Sequence, residues 1–146
     1  LIPVNMYGEY DNFNPDSSHV IPALFEKFKK AKENKDPFVE VWGDGSASRE
    51  FLYAGDCANA IALALENYNE PNPINIGTGT EITIKNLVLK ISKLFDYNGE
   101  IRYDTSKPNG QPRRCLDTTK AKEKFGFEAE TSLDEGLEKT YNWYIT

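Results

Sequence analysis

The amino-acid sequence predicts an α/β or α+β fold, on three observations. Short apolar or β-branched runs alternate with longer stretches whose apolar residues recur at helical spacing. The breaks between them are rich in Gly, Pro, Asn and Ser, the residues of turns and loops. At 146 residues, with 39% hydrophobic and 12% aromatic content, the chain can bury one real core. The strands are few and short, so they do not amount to a complete doubly wound sheet.

Leu1 to Val4 is an apolar run, read as a buried strand end. Tyr7 to Ser18 has loop chemistry, and Ser17 or Ser18 is expected to cap the helix that follows. Val20, Ile21, Leu24, Phe25 and Phe28 form one apolar stripe of that helix. Lys27, Lys29, Lys30 and Lys32 come late in it and read as a solvated face matched to the helix dipole. Phe38 to Trp42 is a strand with Val39 and Val41 on one face, followed by a Gly43-Asp44-Gly45-Ser46 turn. Arg49 to Tyr53 is extended. Asp56 is expected to cap a second helix, with Ala58, Ile61, Ala62 and Leu65 inward until Pro71 and Pro73.

Ile74-Asn75-Ile76 is a short strand that ends in the Gly77-Thr78-Gly79 turn. Glu81 to Ile84 is extended or turn. A third helix carries Ile84, Leu87, Val88, Ile91, Leu94 and Phe95 on one side and ends at Asn98-Gly99. Glu100 to Tyr103 is a strand, and Thr105 to Pro112 a loop. Thr118 or Thr119 is expected to cap a short helix that stops near Gly126. Ser132 and Glu135 have the spacing of a capping box ahead of a last helix that buries Leu133, Leu137 and Tyr141. No internal repeat or low-complexity tract is present.

Composition removes several classes of function. A net charge of -6 argues against nucleic-acid binding and against a polybasic membrane surface. No apolar run is long enough to span a bilayer, and no stretch has a signal-peptide pattern. Cys57 and Cys115 form no CxxC. They read as free thiols in a reducing cytoplasm, with a single disulfide as the open alternative. One His and two Cys lack zinc-ligand spacing, so no metal is expected.

Four features could carry chemistry. His19, the only histidine, stands at a loop-to-helix junction and can exchange a proton near neutral pH; a structural role is the alternative. Lys27, Arg49, Lys107, Arg113 and Arg114 would hold a diphosphate if they converge, and otherwise are surface charges. Trp42 would stack on a base or sugar, or pack in the core. Gly77-Thr78-Gly79 is not a GxGxxG and reads as a turn.

Several stretches together are more specific: Pro3-Val4-Asn5-Met6-Tyr7-Gly8, Asp11-Asn12-Phe13, Ser18-His19-Val20-Ile21-Pro22-Ala23-Leu24, Val41-Trp42-Gly43, Arg49-Glu50-Phe51-Leu52, Ile74 to Gly79, Ser106-Lys107-Pro108, Gly110, Pro112-Arg113 and Leu116-Asp117. They resemble the C-terminal half of the GDP-L-fucose synthases, a family of NADP-dependent epimerase/reductases within the extended short-chain dehydrogenases. The Asp-Asn-Phe loop followed by Ser-His-Val-Ile-Pro-Ala-Leu is specific to these enzymes, whereas Arg-Glu-Phe and Asn-Ile-Gly are shared by many nucleotide-sugar enzymes.

The resemblance implies an α/β fold: a single substrate-binding lobe over 1–146, with a few strands of an incomplete Rossmann sheet and no N-terminal dinucleotide-binding half. It implies that Pro3, Val4, Asn5, Met6 and His19 border the nicotinamide side of an NADP site. It implies His19 as the acid in epimerisation at C3 and C5 of a 4-keto-6-deoxy sugar. Lys27, Arg49 and Arg114 would hold the GDP diphosphate, Trp42 would pack on the GDP-sugar, and Lys107 would sit in the loop that covers it. A homodimeric, cytoplasmic parent enzyme follows from the same likeness. Arg114 stands where the family has lysine, Glu9 where it has proline, and Gly55 where an acid is common.

The family's Gly-x-x-Gly-x-x-Gly fingerprint is not in the sequence. Tyr103 and Lys107 have Tyr-x-x-x-Lys spacing, but they fall in a strand-to-loop segment rather than on a helix. The epimerisation cysteine matches neither Cys57 nor Cys115. With Leu1 inside an apolar run, these absences lead to the expectation of a fragment, inactive alone. Its uncovered strands would make the isolated chain associate or leave Leu1 to Ser18 partly disordered. A fragment of a UDP-sugar epimerase or dehydratase, or a non-catalytic nucleotide-sugar-binding module, are the alternatives.

Overall fold

The computed structural model describes residues 1–146. Its elements in chain order are β1 (Ile2–Pro3), β2 (Asn5–Tyr7), α1 (Val20–Asn34), β3 (Phe38–Trp42), β4 (Ser48–Tyr53), α2 (Ala54–Asn67), β5 (Asn75–Ile76), β6 (Glu81–Thr83), α3 (Ile84–Leu94), β7 (Glu100–Asp104), β8 (Arg113–Arg114), α4 (Thr119–Phe125) and α5 (Leu133–Ile145). The fold class is α/β. Four strand pairs are parallel: β1 with β5, β2 with β4, β3 with β7 and β4 with β8. Only β6 runs antiparallel, against β4.

Strand β4 is the seam of the molecule. Its C-terminal half pairs with β2, Asn5 opposite Phe51 and Tyr7 opposite Tyr53. Its N-terminal half is flanked by β6 and β8, with Ser48 opposite Thr83 and Arg49 opposite Arg114. One strand therefore carries the register of three others.

Two apolar cores lie on either side of this seam. The first joins α1, α3, α5 and β3 through Phe25, Phe28, Val39, Leu87, Ile91 and Leu137. Here the expected stripes hold: Ile21, Leu24, Phe25 and Phe28 of α1 are buried, as are Leu87, Val88, Ile91 and Phe95 in and after α3. The second core joins α2, α4 and β5 through Leu52, Ala60, Ile74, Ile76, Ala121 and Phe127. The caps of α3 and α5 are side-chain oxygens that accept orphan backbone N–H groups. Thr83 accepts from Asn86, and Ser132 and Glu135 form the expected capping box. Thr118 precedes α4 but makes no side-chain cap, against expectation, and Gly126, left-handed at φ 71, stops the helix.

The structure corrects several expectations. Leu1, Ile2 and Pro3 are exposed, and only Val4 of that run is buried, because β1 meets the chain on one side alone, at β5. His19, not Ser17 or Ser18, is the residue before α1, and it makes no side-chain cap. The α3 helix stops at Leu94, short of Asn98-Gly99, where Asp96 takes a positive φ of 48. Asp56 does not cap α2. It lies in the first turn and accepts from Thr131 N (2.9 Å) and Thr131 Oγ1 (3.0 Å), tying α2 to the segment before α5. Ala58, Ile61, Ala62 and Leu65 face outward, while Cys57, Ala60 and Ala64 face inward.

The loop between β2 and α1 is held by its own polar side chains and by α5. Asn12 Oδ1 accepts from Asn14 N and Asn14 Oδ1 from Asp16 N, both at 3.0 Å, two successive Asx turns. The Phe13 ring stacks on Tyr144 at 4.5 Å, and Tyr10 lies 4.9 Å from Trp143. Tyr144 in turn donates to Glu26 of α1. Tyr10 and Phe13 are thus held against α5, and Phe13 also lies 6.2 Å from Phe25 of α1.

Candidate functional site

Strand β2 and His19, the residue before α1, border a hollow in two parts. Its larger part, about 650 Å³, is lined by Pro3, Val4, Asn5, Met6, His19 and Arg114 among others. A smaller part, about 180 Å³, shares Asn5, Met6 and His19 and adds Arg49 and Phe51. The register explains this gathering. Asn5 lies beside Phe51 in the sheet, and its Nδ2 donates to Glu50 O at 3.0 Å. His19 is brought there by the pinned loop, and its imidazole takes no part in capping α1.

Arg49 and Arg114 are direct partners across the β4–β8 pair. Like charges side by side on neighbouring strands repel, so the pairing favours an anion between or above them. Arg49 Nη1 donates to Ser48 O and Gln111 O, each at 2.6 Å, which orients the guanidinium. Arg113 is occupied by Glu81, at 2.7 Å. Arg114 is exposed and has no carboxylate partner.

A second group stands at the end of β3. Trp42 is 63% exposed, which excludes the core-packing alternative. Lys27 Nζ lies 5.7 Å and Lys107 Nζ 5.6 Å from its ring centroid, so two ammonium groups attend one indole. Lys27 leaves the solvated face expected of it. It donates to Glu40 O at 2.8 Å, and burial pulls its pKa below that of a free lysine, against the opposing pull of Glu40. The two groups are joined by the loop before β8. Lys107 meets Trp42, Asn109 Oδ1 accepts from Asp44 N at 2.8 Å, and Gln111 O accepts from Arg49. Gly43 has to be glycine there, since it takes a φ of 79 and a Cβ would collide with Asn109.

The expected site residues therefore fall into two clusters linked by one loop. Pro3, Val4, Asn5, Met6, His19, Arg49 and Arg114 border the hollow, and Lys27, Trp42 and Lys107 form the neighbouring group. Cys57 and Cys115 are free, and burial pushes the pKa of both upward. No helix is long and apolar enough to cross a membrane.

Two features escaped the sequence reading. Glu9 in the hollow wall accepts from Tyr53 OH through both oxygens, at 2.9 and 2.7 Å. Burial and then this bond push the Tyr53 phenol up to about 12. The second is Glu50, which is fully buried. The Gly77-Thr78-Gly79 turn does receive an anion on its backbone N–H groups, and that anion is this carboxylate: Thr78 N and Gly79 N donate to it at 2.6 and 2.8 Å. Its sequence signal was an acid between Arg49 and the apolar Phe51-Leu52 pair in a strand.

Comparison with known proteins bears on this geometry. The family model described as NAD dependent epimerase/dehydratase family matches residues 1–77. The chain is 41% identical over 154 residues to GDP-L-fucose synthase of Escherichia coli (strain K12), covering 99% of this chain and 48% of that protein. Among solved structures, it superposes with a TM-score of 0.93 on a GDP-L-fucose synthetase from Naegleria fowleri bound to NADP, at 30% identity, covering 99% of this chain and 46% of that one. It also superposes, with a TM-score of 0.86 and 30% identity, on a UDP-glucose 4-epimerase with UDP-glucose from Thermotoga maritima, over 98% of this chain and 44% of that one. The chain thus spans less than half the length of the curated relatives it matches.

Proposed function

The chain belongs to the NAD dependent epimerase/dehydratase family, and from that premise we propose that it is the substrate-binding lobe of a GDP-4-keto-6-deoxy-D-mannose 3,5-epimerase/4-reductase, which makes GDP-L-fucose with NADPH. The observation that carries this reading is the Arg49–Arg114 register pair opening onto the hollow that His19 borders. A diphosphate needs several donors at once, and the planar arginine fork matches its oxygens. Lys27, Lys107 and Trp42 extend the same surface with two more cations and a ring on which the nucleotide sugar packs.

Epimerisation at a carbon beside a ketone removes a proton from one face and returns one to the other. His19 serves as the acid, because an imidazole can give up a proton near neutral pH. The thiol partner of that step lies outside this chain, since both of its cysteines are poor thiolates. Asn5 and Met6 suit the nicotinamide edge of NADP: Asn5 commits its Nδ2 to Glu50 O and keeps Oδ1 for a ligand. NADPH, when bound, supplies the hydride for reduction at C4. The dinucleotide fingerprint has to come from sequence beyond these residues, so the isolated chain is expected to show no NADPH oxidation.

The test is solvent exchange at C3 and C5 in the longer enzyme that this reading requires. His19→Gln is expected to slow deuterium incorporation by roughly 10²-fold or more while GDP binding persists. Unchanged exchange contradicts the assignment. The likeness to the Thermotoga maritima enzyme favours a second reading, a UDP-sugar epimerase. Competition between GDP and UDP separates the two, with GDP expected to win. Ligand binding by the isolated chain without a partner would instead support a stand-alone module.

A further inference from the structure

Glu50 is 0% exposed, yet none of the chain's ion pairs includes it. A buried carboxylate without a cation is costly, and it persists only where backbone donors satisfy it. Glu50 has three. Oε1 accepts from Thr78 N at 2.6 Å and Gly79 N at 2.8 Å, and Oε2 accepts from Leu116 N at 2.6 Å. Its own carbonyl accepts from Asn5 Nδ2 at 3.0 Å. One residue of β4 therefore grips the turn after β5, the chain leaving β8, and the side chain of β2 that faces the hollow.

The grip on Leu116 matters because β8 is only two residues long. Before the strand, Ser48 N donates to Pro112 O at 2.9 Å and Arg49 Nη1 to Gln111 O; beyond it, Leu116, two positions past Arg114, is held by Glu50. Gly77 is shaped around the same carboxylate. It is not among the glycines of positive φ, so its backbone would tolerate alanine, but a Cβ would collide with Glu50 Oε1.

We propose that Glu50 is a positioning residue of the diphosphate site: by holding Leu116 it keeps Arg114 in register with Arg49, so that both guanidiniums meet one ligand. This rests on the reading above that the arginine pair binds the GDP diphosphate. A neutral amide cannot reproduce the arrangement. In Glu50→Gln the NH₂ group faces N–H donors, so either the turn or Leu116 loses its acceptor.

The experiment is a steady-state comparison in the longer enzyme with its GDP-sugar and NADPH. It uses Arg49→Ala, Arg114→Ala, Glu50→Gln and the double variant Glu50→Gln/Arg114→Ala. Glu50→Gln is expected to raise KM roughly tenfold or more with kcat changed by less than about threefold, since a small misplacement of binding groups is enough. The double variant should be no worse than Arg114→Ala, because Glu50 acts through that arginine. A KM within about twofold of the parent, or additive losses in the double variant, overturns the proposal. If the arginine variants themselves leave KM unchanged, the diphosphate reading fails, and the role of Glu50 falls with it. Should Glu50→Gln not fold, Gly77→Ala displaces the carboxylate without removing its charge and is expected to raise KM alike. Loss of folding in both variants assigns Glu50 to the fold alone and overturns the proposal.

Discussion

Helices α1 and α2 both carry an apolar stripe at helical spacing, and the chain treats the two stripes in opposite ways. Ile21, Leu24, Phe25 and Phe28 of α1 pack into the aromatic core with Phe95 and Tyr141. In α2 two of the three larger apolar residues point away from the chain, Ile61 at 55% and Leu65 at 86% exposed, and only Leu63 is partly buried. The side it buries is small, made of Cys57, Ala60 and Ala64. Through these small residues α2 packs on α4, β4 and β2, with Leu63 partly buried beside them. A stripe shows that a face can be buried, but which of two apolar faces the chain covers depends on what it has to pack against it.

Four substitutions probe the difference between the two helices. Phe25→Ala removes a ring that is wholly inside and is expected to cost about 3–5 kcal/mol in urea unfolding. A loss under about 1 kcal/mol would deny α1 its place in the core. Ala60→Leu overfills the tight side of α2 and should cost about 1–3 kcal/mol by the same assay; a neutral result means that this face has room to spare. Leu65→Lys changes only an outward residue, and its effect on unfolding should stay within about 0.5 kcal/mol.

The smallest effect concerns how the two helices begin. The residue before α1 is the uncapping His19, whereas the residue before α2 is Tyr53, held by Glu9. Burial, and then the bond to Glu9, push the Tyr53 phenol up to about 12 from the usual tyrosine value of about 10. The folded state thus favours the neutral phenol. Its contribution to stability is complete below the unfolded pKa and is lost as pH rises through the folded one. Phenolate absorbance in Glu9→Gln should appear at lower pH than in the parent, and an unmoved titration would remove Glu9 as a cause.

The sequence made the outline of the fold legible where local patterns and tertiary contacts agree. The stripes of α1 and α3 and the capping box of α5 depend on residues a few positions apart. It failed where a partner comes from afar. Asp56 found Thr131 instead of its own helix, and Leu1 to Pro3 gained only the β5 partner. The site follows the same rule. His19, Trp42 and the basic residues could be named from residue type and resemblance, but the adjacency of Arg49 and Arg114 exists only through the β4–β8 register. Glu50 was invisible as an anchor because its three donors lie 28 to 66 residues away.

We propose that Arg49 and Arg114 together hold a nucleoside diphosphate. Calorimetric titration of GDP into the longer enzyme, as the parent and as the Arg49→Ala/Arg114→Ala double variant, tests it most directly. Hydrogen bonds to charged groups are worth about 1.5–3 kcal/mol each, so a loss of roughly a hundredfold or more in affinity is expected, with the fold intact. An affinity unchanged by the double substitution would contradict the account.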